Sequence, residues 1–237
     1  MSARDVRLRW IAVISAEFDA DSARVEQALG LVRCFDDPHV EEFRIASRVY
    51  PIGPDRFLEI ASPVSEGAAQ RHMSRRGPGI YLLTIQVADF ATHAQRIQRA
   101  GIRVVGRWEQ ESATGQWSSI HLHPADVGAT LMSLDWCAPP EEFPPLEADW
   151  RRLTRRQVVD DVVAVEVSGP DPESIARRWG TVLGVSSARE QLRLGDTVVR
   201  FTRSSGLERV GRVSVRAADA GSRGAVVCLG STAFCLV

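Results

Sequence analysis

Long apolar runs are missing from this 237-residue sequence. Stretches such as AVVCLG near the C-terminus fall far short of the ~20 residues that a helix needs to cross a bilayer. The first ten residues, MSARDVRLRW, also lack the apolar core of an export signal. We therefore expect a cytoplasmic protein with no membrane partner.

The sequence also has almost no excess of either charge. Basic residues number 29 and acidic residues 30, which gives a formal net charge of -1. Proteins that coat nucleic acids need a basic excess to neutralise phosphates, so we expect no nucleic-acid partner. The hydrophobic fraction of 44% is that of an ordinary globular protein, and a chain of this length can bury a sizeable core.

Cysteine is scarce, and the four cysteines (Cys34, Cys137, Cys228 and Cys235) form neither a CxxC pair nor a metal-ligand spacing. Reduced core thiols are therefore expected. The sequence also lacks the GxGxxG, GxxxxGK[ST] and GxSxG motifs. Their absence excludes the common phosphate-cradling loops and the nucleophile elbow of many hydrolases.

The elements that are present begin with a strand and a helix. RLRWIAVISA is apolar and β-branched, which predicts a strand. DADSARVEQALGL predicts a helix that Asp19 or Asp21 would cap and Gly30 would end.

Two more strands and a long connection follow. EEFRIASRVYPIG alternates apolar and polar residues and RFLEIASPV is strand-like, so both predict strands. SEGAAQRHMSRRGPG has no strand pattern, and its glycines and arginines predict a loop that carries Arg75 and Arg76.

The same order then repeats. GIYLLTIQV predicts a strand and DFATHAQRIQRAG a helix, and three further strands are predicted in IRVVGRWEQ, QWSSIHLHP and ATLMSLDW. Two successive units therefore share one order of a strand, a helix and two or three strands. A repeat on this scale is stronger evidence for a fold than any single motif.

Residues 137–158 interrupt the pattern with four prolines and many charges, which predicts a linker. The order then starts a third time, because DVVAVEVSG predicts a strand and DPESIARRWGTVLG a helix with Pro172 in its first turn. QLRLGDTVVRFTRS predicts a hairpin. The remaining strands leave no room for a helix, so a fourth unit would be incomplete.

Repeated β-α-β-β-β units are similar to those of the vicinal oxygen chelate superfamily, which includes glyoxalase I, methylmalonyl-CoA epimerase, extradiol dioxygenases and bleomycin-resistance proteins. GIYLLTIQVADFATHAQRIQRAGIRVV resembles the opening of an epimerase-like module, and HLHPADVGATLMSLDW resembles its closing hairpin. FLEIASPV resembles the strand that carries an acidic residue before a proline.

The resemblance implies an α+β fold in which tandem βαβββ modules form cupped mixed β-sheets. It implies a first domain over residues 1–136, with modules at 6–66 and 78–136. After the linker, residues 159–237 would form a degenerate second domain. Members of the superfamily bind small molecules, so a small-molecule ligand is the expected partner, and the chain is expected to be a monomer or a homodimer.

Members of the superfamily usually bind a divalent metal with His and Glu side chains from the sheet. Matched to those positions, this sequence has Trp10, Leu82 and Ser133, and only Glu59 is acidic. One carboxylate does not hold a divalent ion tightly, so no metal cofactor is expected. An alternative is a relocated metal site formed by His121, His123 and Glu59.

Three residues are candidates for catalysis. Glu59 lies between Leu58 and Ile60, and an apolar cup would raise its pKa toward that of a general base. The alternatives are a Glu paired with a nearby arginine or one that faces water. His121 is the candidate acid or base, since imidazole titrates near neutral pH, and Gln86 would orient the substrate.

Six further residues are candidates for substrate binding. Trp10 would form a flat wall, Thr84 lies on the same face of its strand as Leu82, and Ser133 is the third candidate. Tyr50 would donate a hydrogen bond, and Arg75 and Arg76 would bind an anionic group. Packing roles for the aromatic residues and a solvated loop for the arginines are the alternatives. Tyr81 has the opposite parity to Leu82, which favours an orientation away from the cup.

These residues predict a metal-independent isomerase, epimerase or lyase that uses acid–base chemistry. Its substrate would be a small oxygenated or aromatic metabolite or an acyl thioester. One alternative is a non-catalytic binding protein like the bleomycin-resistance proteins. A second alternative is a metal-dependent dioxygenase or lyase with a relocated site.

Overall fold

The computed structural model describes residues 5–36, 40–146, 149–188 and 190–237. It contains strands and helices in the repeating order that the sequence predicts. In chain order they are β1 (Val6–Ile14), α1 (Phe18–Ala28), α2 (Val40–Phe43), β2 (Ile45–Pro51), β3 (Phe57–Pro63), α3 (Ala68–Arg76), β4 (Gly79–Val87), α4 (Phe90–Arg99), β5 (Val104–Ser112), β6 (Gly115–Leu122), α5 (Pro124–Val127), β7 (Leu131–Ala138), α6 (Trp150–Leu153), β8 (Val159–Gly169), α7 (Pro172–Leu183), β9 (Gln191–Leu194), β10 (Thr197–Arg203), β11 (Arg209–Ala217), β12 (Val226–Leu229) and β13 (Thr232–Leu236).

The strands form mixed sheets that contain both parallel and antiparallel neighbours. Helices connect some of the strands along the chain. This architecture confirms the predicted α+β class and the tandem βαβββ order. The chain divides into two compact units, each assembled from three separate stretches. Unit 1 comprises residues 1–9, 82–147 and 164–210, and unit 2 comprises residues 10–81, 148–163 and 211–237. The domain boundaries expected after residues 136 and 158 stay a prediction.

Unit 1 contains the strand order β4-β7-β6-β5 and the strand order β8-β10-β9. β4 runs parallel to β7, whereas β6 is antiparallel to both of its neighbours. Helix α4 packs against β7 and against α7. The ring of His93 on α4 lies 2.8 Å from the Asp89 carbonyl oxygen and 3.1 Å from that of Leu183, at the end of α7. This buried imidazole joins α4 to α7.

Unit 2 contains the strand orders β2-β3-β1 and β12-β13-β11. Strands β1 and β3 are parallel, with Trp10 opposite Phe57 and Ala12 opposite Glu59. A buried ion pair joins Arg56, which is 5% exposed, to Asp161. The β2–β3 hairpin and the start of β8 are therefore held together by charge as well as by apolar contacts.

The structure corrects two details of the sequence interpretation. The segment predicted as a loop after β3 contains helix α3, and this helix carries Arg75 and Arg76 in its last turn. Helix α1 is capped at Glu17 rather than at Asp19 or Asp21. Asp21 is instead buried inside the helix, where its carboxylate accepts a hydrogen bond from Ser15 Oγ at 2.7 Å. A cap prediction from sequence cannot detect that competing partner.

The predicted linker is only partly irregular. Helix α6 lies within it, and the side chains of Phe143 and Trp150 are buried. Within unit 1, Arg7 Nη2 donates to the Pro140 carbonyl oxygen at 2.6 Å and Arg9 Nη2 to that of Glu141 at 3.1 Å. The prolines therefore mark a segment that packs on the fold. Among the residues that the structure describes, no helix is long and apolar enough to cross a membrane.

Candidate functional site

Glu59 is the buried carboxylate of unit 2. It lies in the middle of β3 and is only 5% exposed. Its Oε2 accepts a hydrogen bond of 2.8 Å from the indole Nε1 of Trp10 on the neighbouring strand β1. A hydrogen bond of this kind fixes the position of the carboxylate. The structure therefore brings together two of the residues selected from the sequence.

Aromatic rings surround this pair. The Trp10 and Phe57 ring centroids are 5.4 Å apart, and the Trp150 ring meets Phe57 edge-on at 5.0 Å. Such pairs stabilise a packed apolar wall beyond the area they bury. Glu59 is itself buried, and this burial strengthens any electrostatic interaction that the carboxylate makes.

Tyr81 belongs to the same unit and interacts electrostatically with Glu59. Burial raises the pKa of the Tyr81 phenol, the charge of Glu59 raises it further, and the charge of Arg71 lowers it. The phenol is therefore protonated at neutral pH and available as a hydrogen-bond donor. The His72 ring meets the Tyr81 ring edge-on at 5.0 Å, and burial lowers the pKa of His72 to about 4. The parity argument that pointed Tyr81 away from the cup did not foresee its coupling to Glu59.

A second polar cluster lies in unit 1, on one face of the strands β4, β7 and β6. Ser133 Oγ donates to Thr84 Oγ1 at 2.8 Å, and Ser133 stands opposite His121 in the sheet. Three residues selected from the sequence are therefore close neighbours. The hydroxyl groups of Thr84 and Ser133 are both buried.

Gln86, on the same face, is held at both ends of its amide. Its Oε1 accepts from Arg7 Nη2 at 3.0 Å, and its Nε2 donates to the Pro140 carbonyl oxygen at 2.9 Å. The amide thus anchors the segment after β7. Its predicted role in orienting a substrate stays a prediction, as does its cooperation with Glu59, which belongs to unit 2.

Asp135 is a buried carboxylate of unit 1 that the sequence analysis missed. Trp117 Nε1 donates to its Oδ2 at 2.7 Å, and Ser119 Oγ donates to its Oδ1 at 2.8 Å. Burial raises the pKa of Asp135 to about 6, although these bonds and that of Ser133 lower it. One signal was available in the sequence, because Asp135 lies two residues after Ser133 on a strand and therefore shares its face.

The two histidines of this region have different roles. The His121 ring lies 4.4 Å from that of Trp108, and burial lowers the pKa of His121 to about 4. His121 is therefore a neutral imidazole at neutral pH and a weaker base than an exposed histidine. His123 lies beyond the end of β6 and accepts a hydrogen bond from the Ala125 N–H at Nδ1, which caps helix α5.

Three other residues selected from the sequence lie apart from these clusters. Tyr50 stands opposite Leu58 in the sheet, and its hydroxyl donates to Glu26 on α1 at 3.1 Å. Burial raises the pKa of Tyr50 to about 12. Arg75 and Arg76 are exposed on helix α3. The roles of all three in substrate binding stay predictions.

The residues present do not fit the divalent metal that the superfamily resemblance implies. Where a ligand would be expected, the Trp10 indole donates a hydrogen bond to Glu59, and a donor cannot coordinate a cation. Within the described ranges, no group of three or more His, Cys, Asp or Glu side chains is arranged to hold a metal ion. His123 Nδ1 is engaged by the Ala125 N–H, which weakens the relocated site as well.

Comparisons with known proteins agree with this architecture. A model of the glyoxalase-like domain family matches residues 11–183, well over half of the chain. The ethylmalonyl-CoA/methylmalonyl-CoA epimerase of Cereibacter sphaeroides is 24% identical over 131 residues, which are 54% of this chain and 96% of the epimerase.

Solved structures show the same fold at low identity. A hypothetical protein from Staphylococcus aureus superposes with a TM-score of 0.74 at 11% identity, and the match covers 97% of both chains. A methylmalonyl-CoA epimerase in complex with methylmalonyl-CoA and NH4+ superposes with a TM-score of 0.50 at 20% identity, over 58% of this chain and 99% of the epimerase. Because the family model matches well over half of the chain, the chain belongs to the glyoxalase-like domain family, and its fold is the one expected from the resemblance to the vicinal oxygen chelate superfamily.

Proposed function

We propose that this chain is a metal-independent enzyme that moves a proton next to a carbonyl group, as an isomerase, epimerase or lyase. Glu59 is the general base. The observation that carries the proposal is the hydrogen bond from the Trp10 indole to Glu59, which fixes a buried carboxylate against an aromatic wall. A positioned carboxylate in such surroundings is suited to proton abstraction.

The proposed step breaks a C–H bond beside the carbonyl of the substrate. The proton passes to Glu59, and the electron pair of that bond moves onto the carbonyl oxygen to form an enolate. A hydrogen-bond donor must stabilise that oxygen, and Tyr81 supplies a phenol that is protonated at neutral pH. A proton delivered to the opposite face of the enolate by a second acid gives an epimer, return of the proton from Glu59 to another atom gives an isomer, and departure of a leaving group from the adjacent carbon gives elimination.

Acyl-CoA thioesters are the first substrates to test. The relative from Cereibacter sphaeroides is named an epimerase of ethylmalonyl-CoA and methylmalonyl-CoA, and its identity of 24% supports a related substrate class rather than the same substrate. A thioester carbonyl acidifies the neighbouring C–H bond, which suits a carboxylate base that works without a metal. Aromatic acids form the second group, because the rings of Trp10 and Phe57 offer a flat apolar surface.

A non-catalytic binding protein is the second candidate function. The observation that favours it is the set of packed rings formed by Trp10, Phe57 and Trp150, which supplies contact area for a ligand without any chemistry. A binder and an enzyme would both show saturable affinity, but only the enzyme would change the ligand.

Deuterium exchange distinguishes the two candidates. Wild-type protein is incubated with methylmalonyl-CoA, ethylmalonyl-CoA and a panel of aromatic acids in deuterium oxide, and mass spectrometry follows uptake of deuterium at carbon. We expect one exchanged position in at least one compound. The Glu59→Gln variant should reduce that rate by about 100-fold or more, because general-base catalysis contributes about that much.

The matched control is Glu66→Gln, which makes the same chemical change at an exposed position of the same unit. The introduced amide at position 59 keeps an oxygen that can accept the Trp10 hydrogen bond, so the variant should fold. Exchange at the wild-type rate in Glu59→Gln would remove Glu59 from the mechanism. Binding without exchange in the wild type would establish the binding protein instead.

A further inference from the structure

The carboxylate of Asp135 lacks a countercharge. It is 2% exposed, and its hydrogen-bond donors are the indole of Trp117 and the hydroxyls of Ser119 and Ser133. Within the part of the chain that the structure describes, no basic side chain forms an ion pair with it. The surrounding donors are neutral, so they orient the carboxylate but do not balance its charge.

Keeping a buried carboxylate ionised without a countercharge costs free energy, and this cost raises the pKa of Asp135 to about 6. Even so, Asp135 is mostly ionised at neutral pH. A neutral side chain of similar size would accept a hydrogen bond from Trp117 or Ser119 without burying a charge. Ionisable side chains whose pKa is shifted by burial are common in functional sites.

Half-exposed aromatic rings stand beside Asp135. Trp117 contacts the carboxylate directly, and Trp108 lies on the neighbouring strand opposite Ser119. Gly106 allows the Trp108 indole to lie flat on the sheet, because a Cβ atom at that position would overlap the ring. The indole thus contacts His121 and presents a flat surface on the same face as the carboxylate.

We propose that Asp135, Trp108 and Trp117 form a ligand site for a protonated amine. The ammonium group would donate hydrogen bonds to the Asp135 carboxylate, and the organic body of the ligand would lie against the indole rings. A cation supplies the missing countercharge and is attracted by the faces of tryptophan rings. An anionic ligand would be repelled, and a neutral one would leave the charge uncompensated. The site goes beyond the proposed proton transfer and does not depend on it.

The other ionisable groups near Asp135 keep their charge states over the range that matters. Burial lowers the pKa of His121 to about 4 and raises that of Cys137 to about 12, so both are neutral between pH 5 and 8. The guanidinium groups of Arg7 and Arg9 also act on the Cys137 thiol; Arg7 donates to Gln86 and to the Pro140 carbonyl oxygen, and Arg9 donates to that of Glu141. Arginine stays charged throughout this pH range. Asp135 is therefore the group whose titration would control binding.

The test uses two fluorinated probes of nearly the same shape, 4-fluorobenzylamine and 4-fluorobenzyl alcohol. Fluorine NMR measures the dissociation constant of each for the wild-type chain at pH 7.5. We expect the amine to bind at least about tenfold more tightly than the alcohol, because only the amine forms an ion pair and a cation–π contact. The affinity for the amine should fall about tenfold for each pH unit below 6 as Asp135 becomes protonated.

The variant Asp135→Asn should bring the amine to the affinity of the alcohol, and Trp108→Leu should weaken binding of both probes. Asp196→Asn is the matched control, since it removes one charge from an exposed turn of the same unit and should not change either affinity. Circular dichroism establishes that each variant is folded. If Asp135→Asn does not fold, the wild-type comparison of the two probes and its pH dependence decide the question alone. Equal affinities for the two probes, no binding of the amine, or an affinity independent of pH would overturn the proposal.

Discussion

The raised pKa of Asp135 predicts how the stability of the protein depends on pH. Its pKa moves from 3.8 in the unfolded chain to about 6 in the folded chain, a shift of about two units. Each unit corresponds to about 1.4 kcal/mol, so the buried carboxylate costs roughly 3 kcal/mol of folding free energy when it is ionised in both states. The group is fully buried, so solvent screening does not reduce this figure.

The sign follows from proton binding. Between pH 4 and pH 6 the folded state holds a proton that the unfolded state has released, so this group makes the protein less stable as the pH rises. Its contribution is most favourable below pH 4 and is lost once the pH exceeds 6. The variant Asp135→Asn cannot titrate and should not show this loss.

The free energy of unfolding in urea, measured from pH 4.5 to pH 8, tests this argument. The difference between wild type and Asp135→Asn should change by roughly 2 kcal/mol in favour of the variant over this range. The variant also loses a hydrogen bond, but this loss changes the free energy of unfolding by the same amount at every pH. It therefore does not contribute to the change of the difference with pH. Asp196→Asn serves as the control and should give a constant difference. A constant difference for Asp135→Asn would refute the reasoning.

Two further predictions concern the packing around the sites. Replacing Arg56 by Met leaves the partly buried Asp161 without this partner and should lower the free energy of unfolding by about 1 to 3 kcal/mol, whereas the double variant Arg56→Met/Asp161→Asn should recover part of it in the same urea titration. Replacing Gly106 by Ala should displace the Trp108 indole, which can move because it is half-exposed. The midpoint of unfolding should therefore change little, whereas binding of 4-fluorobenzylamine should weaken severalfold. An unchanged affinity would show that the flat position of the ring has no role in binding.

Some features of the chain followed from the sequence because they depend on nearby residues. The apolar runs of β1 and β4 identify strands wherever they pack, and the spacing in α4 identifies a helix that Asp89 caps through the Thr92 N–H. The repeat of these elements was sufficient to identify the superfamily fold. The selection of Glu59 also depended on local information, namely an acidic residue inside an apolar strand.

Helix α3 shows where local information failed. Only Ala69 is buried among its nine residues, so the helix has no apolar stripe and its arginines and flanking glycines resemble a loop. Its inner side packs Ala69 and Met73 against Ile14, Ile45 and Ala61, which lie on β1, β2 and β3. Contacts with these strands stabilise a helix that the sequence pattern of the segment does not predict.

What the sequence by itself determined was the order of strands and helices, the superfamily, and the position of one buried acid. Only the tertiary structure placed the Trp10 indole on Glu59 and buried Asp135 between Trp117 and Ser119. The physical reason is the range of the interactions. Helix and strand patterns depend on residues within a few positions, whereas burial, hydrogen bonding and pKa depend on side chains that come from other strands.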